Sequence, residues 1–240
     1  MRTHPRHTKL VAGALSAAGL LAISPIAAAE IRTFGDGQGR TITLDLQTSG
    51  VDGDGYAGIL RSAIHGDEIE TVTTRVVAPQ QISSQCGSGA AACYRYSRGV
   101  STITVPARAP SDVRHALLHE YGHHVDFSID TPQATGRGLD GTPSWWDSRG
   151  MAGLLARGDV AYDYSLGWSR SIAEVYAEDY VQAHGPARFG ISWLPPPSEA
   201  TLDALRRDVL GAPAPPAPPG PAPPPPAPDP PGPIGAEPQG

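Results

Sequence analysis

Residues 211–240, GAPAPPAPPGPAPPPPAPDPPGPIGAEPQG, are half proline. Proline fixes φ and lacks an amide hydrogen, so such a run joins neither a helix interior nor the middle of a sheet. It favours the extended polyproline II form and carries too little apolar surface to build a core. Residues 211–240 are therefore expected to be a disordered proline-rich tail or spacer. The other end is set apart as well. Arg2, Arg6 and Lys9 precede an uncharged apolar run from Leu10 to Ile26, and Ala27-Ala28-Ala29 follows. This order is that of a secretory signal peptide over residues 1–29, with cleavage after Ala29. As a membrane anchor the run is short, and Gly13, Gly19 and Pro25 interrupt it. A compact fold is thus confined to residues 30–210, enough for one domain of ordinary size.

Loss of the leader removes three of the 18 cations and none of the 24 acids, so 15 cations face 24 acids, a formal charge of −9. An acidic chain is a poor match for nucleic acid or anionic lipid, and neither partner is expected. No later stretch is apolar enough to span a bilayer once the signal is gone. Lys9 is the only lysine, and the chain is rich in Ala, Gly, Pro and Arg. That composition points to a bacterium with a GC-rich genome. The expected location is secreted, extracellular or associated with the cell envelope, and the expected state is a monomer. Cys86 and Cys93 are the only cysteines. In an exported chain they are expected to form a disulfide, which over so short a loop contributes roughly 2–3 kcal/mol in the chain-entropy model.

The first part of the domain reads as strands. Thr41 to Leu46 alternates with period two, and Val72 to Val77 does so more loosely. Tyr56 to Ile64 suits a short helix, and Asp52-Gly53-Asp54-Gly55 before it reads as a solvated turn. Tyr94 to Tyr96 and Val100 to Val105 read as two strands joined at Ser97-Arg98-Gly99. The second part reads as helices. One runs from Asp112 to Phe127 behind Ser111 as N-cap. Others are expected at Trp145 to Arg157, Ser171 to His184 and Ser198 to Leu210, the last capped by Ser198. The expected class is α+β, a small domain with a β-rich first part, an edge strand before the central helix, and a helical second part.

The central helix carries HALLHEYGHHVD at residues 115–126. His119 and His123 stand one turn apart on one face. Two imidazoles so placed can take adjacent corners of a zinc tetrahedron, and Glu120 sits beside the metal, able to take a proton from its water. Gly122 costs about 1 kcal/mol of helix stability relative to Ala. It therefore has a reason to be there, functional or from close backbone packing. A third ligand is needed. The metzincin pattern is absent, because Asp126 and Ile129 stand where its Gly and His would be. The aspzincin pattern fails at Ser144. RSIAEVYAEDY, residues 170–180, remains. Glu174 and Glu178 lie one turn apart in apolar company, where acids need partners. One can bind the metal while the other orients a ligand imidazole. Glu174 is the preferred ligand, with Glu178 still open. His115 suits a supporting or surface place, and His124 is expected to be exposed. Asp126 can orient an imidazole or the helix end, and Trp145 and Trp146 suit core or cleft wall.

HEYGHHVD followed by EVYAEDY resembles the gluzincin branch of the zincin metallopeptidases. It is closest in wording to the anthrax lethal factor type, which pairs an HExGHxVD stretch with an ExxAE helix. The likeness covers the two motif helices, roughly forty residues. It implies a zincin-like domain holding one catalytic zinc ion on His119, His123 and Glu174. Glu120 would be the general base and Glu178 the partner of a ligand imidazole. It also implies a tyrosine ahead of the Glu174 helix that donates to the developing oxyanion, Tyr164 with Tyr162 as alternative. The spacing from His123 to Glu174 departs from thermolysin, and the chain is much smaller than either relative, so substrate preferences do not transfer. The function so implied is hydrolysis of peptide bonds in a peptide or protein substrate, as an endopeptidase. The strand at Ser101 to Val105 is expected to edge the cleft and take a peptide by strand addition. Two rivals stand beside it: a non-enzymatic secreted zinc-containing module that binds at the cell surface, and a zinc hydrolase of non-peptide amides.

Overall fold

Alternating strands divide polar from apolar residues, and the register keeps that division across the sheet. In the computed structural model, which describes residues 29–129 and 140–211, five strands form one sheet: β1 (Glu30–Gly35), β2 (Thr41–Leu46), β3 (Val72–Val77), β4 (Cys93–Ser97) and β5 (Val100–Pro106). Their order is β1-β2-β3-β5-β4. The outer pairs β1–β2 and β4–β5 are antiparallel, and β2–β3 and β3–β5 are parallel. Leu44, Thr74 and Ile103 lie abreast, as do Leu46, Val76 and Val105, so one face is apolar. Asp45, Arg75 and Thr104 lie abreast on the other, where Arg75 pairs with Asp45 at 2.8 Å.

Among the described residues seven α-helices follow or interrupt the strands: α1 (Gly53–Arg61), α2 (Ile82–Cys86), α3 (Pro110–Ser128), α4 (Pro143–Arg149), α5 (Met151–Ala156), α6 (Ile172–Gln182) and α7 (Glu199–Leu210). The class is α+β, strands first and helices after. α1 and α3 cover the apolar face, and α6 packs along α3. Cys86 and Cys93 are joined, tying the end of α2 to the start of β4. No helix among the described residues is long and apolar enough to cross a membrane. The expected signal peptide at 1–29, but for Ala29, and the expected tail at 211–240, but for Gly211, lie outside the described residues.

Several local expectations shift. α3 begins at Pro110 with Ala109 at its cap, and Ser111 bonds to Asp112 instead. Proline at the first helical position supplies the helical φ and has no amide needing a cap. The stretch 145–157 is two helices, because Gly150 ends the first with φ 72°. Asp52 to Gly55 is a helix start, with Asp52 accepting the Gly55 amide at 3.0 Å. β5 is interior, between β3 and β4, so the edge strand before α3 is β4 and not the stretch 101–105.

Gly122 is where α3 meets α6. A Cβ there would lie 3.1 Å from both Ala177 Cα and Tyr180 Cβ, so glycine lets the two backbones approach. α6 is tied at its far end by His184, which accepts the Ile64 amide at 2.8 Å on Nε2 and donates to the Tyr180 carbonyl at 2.7 Å from Nδ1. Burial, opposed only by the bond to the Tyr180 carbonyl and aided by Arg114 and Arg206 nearby, lowers the His184 pKa from 6.5 to about 4.

Gly122→Ala gains helix propensity but forces α3 from α6, and a net destabilisation of about 1–3 kcal/mol is expected in chemical denaturation. His184 is neutral in the fold and free to charge when unfolded, so its contribution is complete above pH 6.5 and is lost as pH falls towards 4. Stability should drop across that window by roughly 1.4 kcal/mol per pH unit from this group. Denaturation curves of His184→Gln should show a flatter slope there; an unchanged slope would remove His184 as the cause.

Candidate metal centre

α3 presents its histidines inward because Leu117, Leu118, Tyr121 and Val125 drive the helix into the core. α6 lies opposite with Ile172, Val175 and Tyr176 buried in the same core. Glu174 and Glu178 therefore face His119 and His123 across the Gly122 contact, and all four are buried. Glu174 Oε2 is 2.9 Å from His119 Nε2 and 3.6 Å from His123 Nε2. The three atoms lie within 4.8 Å of one another and can hold a metal ion. A tetrahedron with bonds of about 2.0–2.1 Å has edges of roughly 3.3 Å, which the two distances bracket. Two imidazole nitrogens and a carboxylate oxygen are a donor set that fits zinc.

Glu178 takes the other place. Its Oε1 accepts from His119 Nδ1 at 3.1 Å, and from His115 Nε2 at the same distance. Its Oε2 accepts the Gly190 amide at 2.6 Å. With Nδ1 bound to Glu178, His119 Nε2 faces Glu174 and His123: without a metal it donates to Glu174, and to a metal it would offer its lone pair. His115, His119 and Glu178 also form a group able to hold a metal, but His115 is 45% exposed and Glu178 is already engaged on both oxygens. The first group is the better enclosed. His123 Nδ1 is buried without a hydrogen-bond partner, so only one of the two imidazoles is oriented from behind.

The charges are strongly coupled. Burial disfavours a charged His119, but bonds to Glu174 and Glu178 outweigh it and push its pKa up to about 10. Burial also disfavours a charged Glu174, and His119 and His123 overcome it, holding the carboxylate well below its usual range. Glu178 falls to about 2 for the same reason, with His115, His119 and the Gly190 amide against burial. Glu120 moves the other way. Its burial dominates and raises its pKa, while His123, His119 and the Tyr94 amide pull it down.

Tyr164, on a short turn before α6, donates to Glu174 Oε1 at 2.7 Å. Tyr162 instead stacks on Trp146, so of the two tyrosines it is Tyr164 that reaches the site. Asp126 sits at the other end of α3, accepting the Gly141 amide at 2.8 Å, and its place is at the helix exit. His124, expected to be exposed, is 1% exposed. The short helix Asp67–Thr71 and Tyr94 of β4 cover that face, and His124 Nε2 donates to the Glu68 carbonyl at 2.8 Å. Trp145 is core, donating to Asp179 at 2.9 Å.

A cleft of about 940 Å³ opens onto these groups. Its wall runs from Ser88 to Tyr94, the loop closed by the disulfide and the start of β4. Trp168 lies opposite, stacked near His119 with ring centres 5.9 Å apart. Trp168, Arg188 and Gly190 line the cleft without having been marked in the sequence, where no spacing ties them to the motif helices. A Cβ at Gly190 would sit 2.9 Å from Glu178 Oε2, so glycine lets the backbone close on that carboxylate. Comparison with protein-family models, curated proteins and solved structures gives no match.

Removing the shared carboxylate and removing its neighbour should have different effects. Glu174→Ala is expected to abolish stoichiometric metal binding. Glu178→Gln should keep the metal with about 10–100-fold weaker affinity. Metal analysis of dialysed protein and competition with a chelating dye read both. Full metal retention by Glu174→Ala would transfer the third ligand to Glu178.

Proposed function

We propose that this protein is a secreted zinc metallopeptidase of gluzincin type, with His119, His123 and Glu174 as ligands. The observation that supports it is the convergence of those three atoms on the wall of an open cleft, with Glu120 and Tyr164 beside them. A bound zinc ion supplies Lewis acidity, bringing a water towards ionisation near neutral pH and polarising a carbonyl.

Glu120 holds the attacking water and takes its proton on the carboxylate. Burial raises its basicity towards the range where a general base works best. It then returns the proton to the leaving amine. Tyr164 keeps its own proton, because burial and then the bond to Glu174 raise its pKa well above the ordinary phenol range. Its one O–H is given to Glu174 in the free site, and turned from there it would donate to the oxyanion that develops on the substrate carbonyl. Glu178 keeps the His119 ring in one orientation and one tautomer.

The substrate reading moves from β5 to β4. β4 pairs only with β5 among the described strands, so no strand covers its other edge, where the Tyr94 amide faces Glu120. An extended peptide can add there as a further strand, beside Cys93 and Tyr94 at the cleft. An open side to the ligand set favours hydrolysis over a closed binding module. Non-peptide amides would call on the same groups.

Glu120→Gln should bind zinc as the wild type does and lose about 10²–10⁴-fold in kcat. Tyr164→Phe should lose about 10²–10³-fold in kcat with little change in KM. Peptide-library cleavage with metal analysis on the same samples checks both. A Glu120→Gln protein that cleaves at the wild-type rate would end the mechanism.

A further inference from the structure

The cleft is lined by three acids and one arginine. Each acid is engaged within the protein. Glu174 meets His119, His123 and Tyr164, Glu178 meets His115, His119 and the Gly190 amide, and Glu120 is faced by the Tyr94 amide and the two motif imidazoles. Arg188 has no hydrogen bond or ion pair among the described residues, and it is exposed on the cleft wall.

Its backbone is fixed on both sides. Gln182 donates to the Ala187 carbonyl at 3.2 Å, Phe189 packs against the core, and the Gly190 amide is bound to Glu178. A segment held at positions 187, 189 and 190 delivers one free guanidinium to the cleft, two residues before the Gly190 amide that binds the carboxylate orienting His119. An arginine is charged at every working pH, and its planar fork of donors matches a carboxylate in two parallel bonds.

We propose that Arg188 is a carboxylate anchor, and that the ligand of this cleft is a peptide with a carboxylate near the bond over the metal centre. This rests on the hydrolase reading for what is done to the peptide, but not for its binding. The carboxylate has two sources, a free C-terminus or an Asp or Glu side chain. A C-terminal source makes the protein an exopeptidase, and a side-chain source makes it selective for acidic sequences.

The test uses the full-length Glu120→Gln protein incubated with zinc and two pairs of otherwise identical peptides. One pair has a free or an amidated C-terminus, and the other has an internal Glu or Gln. Isothermal titration should show the acid member binding about 10–100-fold tighter in at least one pair. Adding Arg188→Gln should bring that ratio to about 1, and Arg188→Glu should invert it. Equal affinities, no binding of either member, or a ratio that Arg188→Gln leaves unchanged would overturn the anchor. Cleavage by the Glu120 protein is read separately. A retained acid preference in binding with no cleavage would overturn the hydrolase and support the anchor. Cleavage with no acid preference in either pair would overturn the anchor alone.

Discussion

The close contact of α3 with α6 at Gly122 is what the rest of the structure depends on. With no side chain at that point, Ala177 and Tyr180 come against the α3 backbone. Only at such a separation do the side chains one turn away on each helix reach across to hydrogen-bonding distance. His119 and His123 come from α3, and Glu174 and Glu178 from α6. The same contact seals the core, since Tyr121 and Tyr180 are both fully buried beside it. Stability and the site thus share one packing feature.

Electrostatics follow from that geometry. Burying two carboxylates and two imidazoles in one place is costly unless each is paired. Glu174 and Glu178 divide the work, one facing the Nε2 atoms and one facing Nδ1 of His119. Glu120 has the Tyr94 amide and the charges of the two imidazoles, but burial outweighs them and its pKa rises, which separates its behaviour from that of the other two acids. Identical side-chain chemistry is therefore divided by placement alone: one acid faces the Nε2 atoms, one stands behind His119, and one is left more basic.

Local patterns in the chain were legible where one residue type forces one outcome. Period-two alternation placed β2 and β3, the turn at Ser97-Arg98-Gly99 placed β4 and β5 on either side of it, and the paired His and Glu spacings placed the faces of α3 and α6. Ser198 caps α7 as its residue type suggests. The departures have local physical causes. Gly150 takes a left-handed conformation and cuts one expected helix into two. Pro110 starts α3 ahead of Ser111. His124 is buried because a segment some fifty residues earlier, Asp67–Thr71, folds over it. No periodicity within α3 reports on a neighbour that distant.

The order of residues alone was enough for the α+β class, the disulfide pair and the four groups on α3 and α6, because strand alternation, cysteine count and helical spacing are local properties. It left open which carboxylate shares the Nε2 focus, which tyrosine reaches it, and which strand is the edge. Those depend on contacts between elements far apart in the chain. The approach of α6 to α3 put Glu174 on the focus and Glu178 behind His119. The turn before α6 brought Tyr164 in and left Tyr162 on Trp146. The parallel pairing of β5 with β3 left β4 outermost, because a strand with neighbours on both sides has no free edge.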